Sequence, residues 1–447
     1  MKNILVILAL LTNSLTPVAL RAQSINVQDS LALVEFYDST NGNSWKTNSN
    51  WKSSAPVSWW NGVSVTGNRV TGISLMGNNV SGNLTPSFGN LDSLKYVYLI
   101  DNKIGGSIPT SIGNLSALRT LNLGANFLTG SIPSSLGMLF ALTNLDLYAN
   151  ALTGEIPATI ANLENLETVD LSNNQLSGNI PTTFADLNIY NFQIHGNRFT
   201  FQSMEQLVQA FNNNDILFYT PQANIVINQQ DEQLSVSVHG SPVNNTFKWY
   251  KAGTGLVATI IADSTYMPLS PGNYYVEVNN AIASQLTLRS DVVPVKSVVV
   301  PLCPDKASVT ITSDLSGPNY QWQKTTDGTG FHNLINDSNY NGTNTATLNL
   351  VNVPSAFNGD KYRCITNGDS SSLFTIRFIN KWEENGNTGW ESTANWSCGK
   401  LPDANTDVVI KSGTVVINQD VTVSSLKLSP GVSLTVKPGF TLTILHH

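Results

Sequence analysis

Cysteine is scarce in this chain, three among 447 residues, which excludes a small scaffold held by a dense set of disulfides. Charge is scarce as well: Asp, Glu, Lys and Arg make up only 12% of the residues. No block of lysine or arginine occurs and the formal charge is −7, so neither nucleic acid nor anionic lipid is expected as a partner. No apolar run is long enough to span a bilayer, so no transmembrane segment is expected. Catalytic signatures are missing too. The five histidines, His195, His239, His332, His446 and His447, lie in different segments, and none belongs to an H-E-x-x-H or H-x-x-E-H motif. There is no G-x-S-x-G elbow, Walker loop or C-x-x-C pair. Carboxylates are plentiful enough for a glycosidase pair, but no spacing selects two of them. The expectation is a protein that is not an enzyme, with no cofactor and no metal.

What the chain does have is a period. Asn78, Asn102, Asn126, Asn150 and Asn174 fall 24 residues apart, and a looser copy ends at Asn197. Each closes the pattern L-x-x-L-x-L-x-x-N-x-L, clearest in Leu118, Leu121, Leu123, Asn126 and Leu128. A fixed repeat of this length and signature indicates a leucine-rich-repeat solenoid. The leucines fill a shared interior, and each asparagine is placed to bond backbone groups at the turn leaving its strand.

Several segments flank the repeats. Lys2, the apolar run Ile4 to Leu11 and the small residues around Ala19 to Ala22 read as an export signal over residues 1–22. Its removal takes Lys2 and Arg21 away and shifts the charge from −7 to about −9. Residues 23–67 are expected to cap the open end of the solenoid, with Leu31, Leu33, Val34 and Phe36 on a short amphipathic helix and Trp45, Trp51, Trp59 and Trp60 packed beneath it. The solenoid itself spans 68–220, including a closing helix from Met204 to Phe211 and an exit linker at Tyr219 to Gln222. Two β-rich segments follow, 221–297 and 298–379, and then a third over 380–447, with short strands and turn residues that suggest a parallel β-helix or a small sandwich. Export makes a Cys303–Cys364 disulfide reasonable, the alternative being two buried thiols, and leaves Cys398 unassigned.

Four repeats carry Gly-x-Ile-Pro, at Gly106–Pro109, Gly130–Pro133, Gly154–Pro157 and Gly178–Pro181. This string resembles the plant-type leucine-rich repeat of plant receptor ectodomains, polygalacturonase-inhibiting proteins and many exported bacterial proteins. The resemblance implies a second short strand on the flank of each repeat and an irregular or 3-10 convex side. The cap, with Asn50-Trp51 and the run Pro56 to Val65, is similar to the plant cap, except that Val57 and Val65 stand where that family has cysteines; such a cap holds by packing alone. Phe247 to Tyr250 and Gly272 to Val276 resemble strands C and F of an immunoglobulin-like sandwich lacking its cysteines. Trp322, Tyr362 and Cys364 resemble the core tryptophan, tyrosine corner and F-strand cysteine of a bacterial immunoglobulin-like domain. The tail is similar to modules that end exported Bacteroidetes-type proteins. The whole is a mainly β, multidomain architecture.

In L-x-x-L-x-L the leucines point inward and the intervening residues point to the concave sheet face. That face carries Tyr96, Tyr98, Asn122, Asn144, Asp146, Tyr148, Asp170, Gln193 and His195. Tyrosine supplies rigid contact area, while amides and carboxylates give direction through hydrogen bonds. The expected function is a secreted or cell-surface recognition and adhesion protein that binds an extracellular protein or polysaccharide. The alternatives are an accessory part of a carbohydrate-active enzyme with a β-helical tail, or a structural matrix component. Oligomeric state is left open by the sequence.

Overall fold

The computed structural model describes residues 25–211, 216–230, 232–304, 307–326, 330–383, 385, 387–429 and 431–446. The export signal expected over residues 1–22 lies outside them. Two compact units partition the chain, residues 1–176 with 183–193, and residues 177–182 with 194–447.

The first unit is a stack of repeats behind a helical cap. Asn26 starts the helix Val27–Ser39 by accepting from the N–H groups of Gln28 and Asp29. The buried stripe is Asp29, Ala32, Leu33, Phe36 and Tyr37, the i, i+3, i+4, i+7 spacing of one helix face. Leu31 falls off that stripe and is 60% exposed, contrary to expectation. Phe36, Trp45, Trp51 and Trp60 form a buried aromatic cluster; Trp59 is 67% exposed and lies outside it. Packing is not the cap's only support. Asp29 is fully buried and paired with Arg69 at 2.9 Å, and it also accepts the Val70 N–H at 2.7 Å, which ties the helix to the first repeat strand.

Strand Val63–Thr66 pairs antiparallel with Arg69–Ser74, and the pairings from there to Asn191–Gln193 are parallel. Tyr96–Tyr98, Thr120–Asn122, Asn144–Asp146, Thr168–Asp170 and Asn191–Gln193 follow in strict register. The asparagines lock that register. Asn102 accepts from the N–H groups of Asn78 and Val80 and donates to the carbonyls of Leu75, Leu99 and Ile100. Asn126, Asn150 and Asn174 likewise join their own turn to the preceding one. Turn backbone inside a solenoid has no water, so this side chain is its partner.

Flank strands occur at Ser81–Asn83, Lys103–Gly105, Thr129–Ser131, Ala151–Gly154 and Gln175–Leu176. Lys103–Gly105, Ala151–Gly154 and Gln175–Leu176 end at or before the Gly of Gly-x-Ile-Pro and Thr129–Ser131 ends one residue past it, so the string begins where the second strand ends. Gly106, Gly130 and Gly154 take positive φ, Ile108, Ile132 and Ile156 are buried, and Pro109, Pro133 and Pro157 lead into 3-10 helices.

The second unit opens with helix Phe201–Ala210, three residues earlier than expected, burying Phe201, Met204, Leu207 and Val208. Tyr219 to Gln222 is not a linker. Gln222 accepts from the N–H groups of Asn197 and Phe199 and donates to the carbonyls of Ile194 and Tyr219. It is one more rung of the ladder, built from glutamine. Glu205 of the helix accepts from Ser241, Asn244 and Asn280 and so fastens the helix to the strands beyond.

Those strands form a sheet in the order Gly255–Ile261, Asn245–Lys251, Gly272–Asn280, Thr287–Arg289, facing a smaller sheet of Ile227–Gln230, Gln233–Val236 and Thr265–Tyr266. Trp249 and Val276 are opposed across the ladder and fully buried. The Tyr274 hydroxyl donates to the Ser270 carbonyl at 2.6 Å. In the next segment Trp322 opposes Cys364, both fully buried. The Tyr362 hydroxyl meets that of Tyr340 rather than the backbone.

The disulfide joins Cys303 to Cys398, not Cys303 to Cys364; Cys364 is a buried thiol. Strand pairing decides this. Ser297–Leu302 runs parallel to Leu373–Lys381 with Leu302 opposite Phe378, which carries Cys303 toward Ile379. Cys398 is held at that point, its N–H donating to Asn380. Cys364 lies on another strand, against Trp322.

Strand Leu373–Lys381 does not stop at the expected boundary. Its last residues pair in parallel with Asp407–Ile410, and the tail continues as parallel ladders, Asp407–Ile410 on Ser425–Leu428, Thr414–Ile417 on Ser433–Val436, and Val421–Val423 on Leu442–Ile444. Val408, Ile410, Val415, Ile417 and Val423 fill its core under Trp382, Trp390 and Trp396.

Candidate binding face

Parallel register turns single residues into columns on the concave sheet. One column runs Gly72, Tyr96, Thr120, Asn144, Thr168, Asn191, and a second runs Ser74, Tyr98, Asn122, Asp146, Asp170, Gln193. Successive members stand about 4.8 Å apart. Tyr96 and Tyr98 lie parallel, ring centroids 6.5 Å apart and planes 4° apart, and present a two-ring plate. Further on, the groups interlock. Asn122 donates to Asp146 at 3.1 Å, Asn144 to Thr168 at 2.7 Å, and Ser172 donates its N–H and hydroxyl to Asp170.

Tyr148 lies across Gly124 of the preceding turn, where any Cβ would come within 2.5 Å of its ring. Glycine at 124 is therefore what seats the ring. Burial, and then the adjacent Asp170, push the Asp146 carboxyl up to about 6. Burial also raises the Tyr148 hydroxyl, with Asp146, Asp170 and Asp101 adding to the effect. Asp101 was not among the expected site residues because it sits on a turn, one position before the ladder Asn102. Its only sequence signal is an acid at a position where neighbouring repeats have Ala125 and Ala149.

The first unit thus brings together Tyr96, Tyr98, Asn122, Asn144, Asp146, Tyr148, Asp170 and Gln193 on one face. His195 belongs to the second unit, on the turn where its carbonyl accepts from Asn197. A separate groove of about 500 Å³ opens on the turn side, among Lys46, Asp101, Lys103, Ala125 and Phe127. Among the described residues no cluster of His, Cys, Asp and Glu could hold a metal, and no helix is long and apolar enough to cross a membrane.

The Leucine Rich Repeat family model matches residues 93–115, 117–139, 141–163 and 165–187. These segments are leucine-rich repeats. Solved structures similar to the chain include leucine-rich-repeat ectodomains. The PEPR1–AtPEP1 complex is 28% identical over 44% of this chain and 28% of that one, with a TM-score of 0.39. The ectodomain of the receptor kinase SOBIR1 from Arabidopsis thaliana is 29% identical over 39% of this chain and 96% of that one, at 0.35. The Arabidopsis HAESA ectodomain in complex with an IDA peptide hormone ligand is 25% identical over 44% and 33%, at 0.38. TM-scores this low stop short of a shared overall fold. No curated protein matches the chain.

Proposed function

We propose that this is a non-catalytic recognition protein, exported and held outside the cell, that binds an extracellular protein or polysaccharide through the concave face of its leucine-rich repeats. The observation that carries the reading is the pair of in-register columns, which place an aromatic plate and a hydrogen-bonding, acidic strip on one rigid sheet. Side chains already fixed by neighbours lose little entropy on binding. Two further observations support it. A disulfide is at home in an oxidising compartment, and the segments after the repeats, which we read as immunoglobulin-like modules and a terminal β module, suit spacers or further adhesive surfaces.

The test is the purified protein against a panel of extracellular proteins and polysaccharides, reading retention together with product release. Replacing Tyr98, Asp146 and Tyr148 together by Ala is expected to weaken the retained ligand by about tenfold or more, with the fold intact by circular dichroism. Unchanged affinity would discard the concave face; released product would discard the non-catalytic reading.

A further inference from the structure

We propose that the groove on the turn side of the repeats is a second binding site, apart from the concave face, and that it takes an extended acidic peptide segment of another protein. The groove, about 500 Å³, crosses the corners of successive turns at Asn79, Asp101, Ala125 and Ala149. Backbone bonds stack those turns, Asn102 donating its N–H to the Ala125 carbonyl and Asn126 to that of Ala149. All four corners are left-handed, with φ of 62°, 58°, 52° and 51°. Asparagine and aspartate tolerate that backbone, and Asn173 holds the next corner at 55°, but alanine adopts it at a cost. Two adjacent alanines are thus kept against local preference. What their small side chains leave is the hollow itself, and strain held at a surface hollow points to use.

The walls give the ligand's chemistry. The position after each ladder asparagine holds Asn79, Lys103, Phe127, Ala151 and Gln175, and its single ring, Phe127, is 62% exposed. At the other end the Lys46 ammonium reaches the Gly77 carbonyl at 2.7 Å, with donors to spare. Lys103 is exposed and, among the described residues, in no ion pair. Two ammonium groups against the one carboxylate of Asp101 make a positive spot on a chain of net charge −7. The ligand therefore brings the acid to the lysines and an apolar group to Phe127. Spacing selects its conformation. The Gly77 turn and Phe127 are two rungs apart, about 9.6 Å at about 4.8 Å per rung. A polyproline-II segment sets residues i and i+3 on one face about 9.3 Å apart, and its backbone groups are unbonded. Asn79, its amide N–H held by the Ser44 carbonyl at 2.8 Å, keeps its oxygen as an acceptor for them, as does Asp101.

The experiment is fluorescence anisotropy of the intact protein with a labelled, end-blocked peptide made of two Glu-Pro-Pro-Leu-Pro-Pro blocks. Binding is expected at roughly 10–100 μM, weakening with salt and falling about tenfold or more when Lys replaces Glu in the peptide. Phe127→Ala and Lys103→Glu are each expected to weaken it by about tenfold or more. Both alter exposed side chains, so they carry the test even where other variants disturb folding. Ala125→Asn gives the corner a residue it accepts, so it is expected to melt no lower than the wild type and yet to weaken binding by filling the hollow. The concave variant with Tyr98, Asp146 and Tyr148 replaced by Ala is expected to bind this peptide as the wild type does, which separates the two sites. No binding up to roughly 1 mM, affinity that Phe127→Ala and Ala125→Asn leave unchanged, or loss in the concave variant alone overturns the proposal. So does a groove that takes polygalacturonate and not the peptide.

Discussion

The repeat solenoid and the C-terminal coil are both stacks of parallel strands, but only the solenoid has a column of amides running through it. In the solenoid each turn is bonded to the next by an asparagine that uses both ends of its side chain. That bond demands one geometry, so every turn must return to the same place after the same number of residues. Among the described residues the coil has no such repeating amide. Its turns are joined by strand pairing and by apolar packing of Val408, Ile410, Val415 and Ile417, which tolerates turns of unequal length. A buried polar contact thus enforces regularity where apolar contact only permits it.

Changes to each stack sharpen the contrast. The largest effect is expected from Ile417→Ala, since a fully buried side chain leaves a cavity worth about 2–5 kcal/mol. Its melting transition is expected to fall while that of the repeats stays in place. Asn126→Ala removes the partner of four buried backbone groups and is expected to cost about 3 kcal/mol, this time in the repeats alone. Equal losses in both transitions from either variant would remove the distinction between the stacks. Cys398→Ser opens the disulfide at a cost of about 2–3 kcal/mol and leaves Cys364 unreactive to thiol reagent in the folded protein, because it is buried. A fast-reacting Cys364 in the wild type would contradict the pairing.

The smallest effect concerns Asp146. Its folded carboxyl is raised to about 6 from an ordinary 3.8, so the folded state binds the proton more tightly than the unfolded one. Stability is therefore expected to rise as pH falls from about 7 toward 4, and to be lowest above pH 6 where the buried group is charged. Asp146→Asn removes that slope and adds about 1 kcal/mol at pH 8, a figure discounted for the group's partial exposure. A denaturation series at pH 5 and pH 8 reads both.

The same contrast explains what the sequence could disclose. The repeats were legible because Asn102, Asn126, Asn150 and Asn174 must recur on a period, and the period places the concave residues without further information. The rung at Gln222 was not, since a longer side chain at a different spacing breaks the pattern while keeping its chemistry. The tail left a coil and a sandwich equally open, because short alternating strands satisfy both. The disulfide depended on which strand ran beside Leu302, a long-range pairing with no local mark. Asp101 joins the field at Tyr148 through space from a turn 47 residues earlier, a proximity with no local mark in the sequence.

Strand Leu373–Lys381 is shared between two ladders, Ser297–Leu302 on one stretch and Asp407–Ile410 on the next, with Cys303–Cys398 beside the changeover. A tether pulling along the chain at this junction would load those hydrogen bonds in shear, many at once, and the covalent bridge would take up the strain before they parted. Tension applied across this junction would therefore meet its resistance here rather than in either flanking sheet.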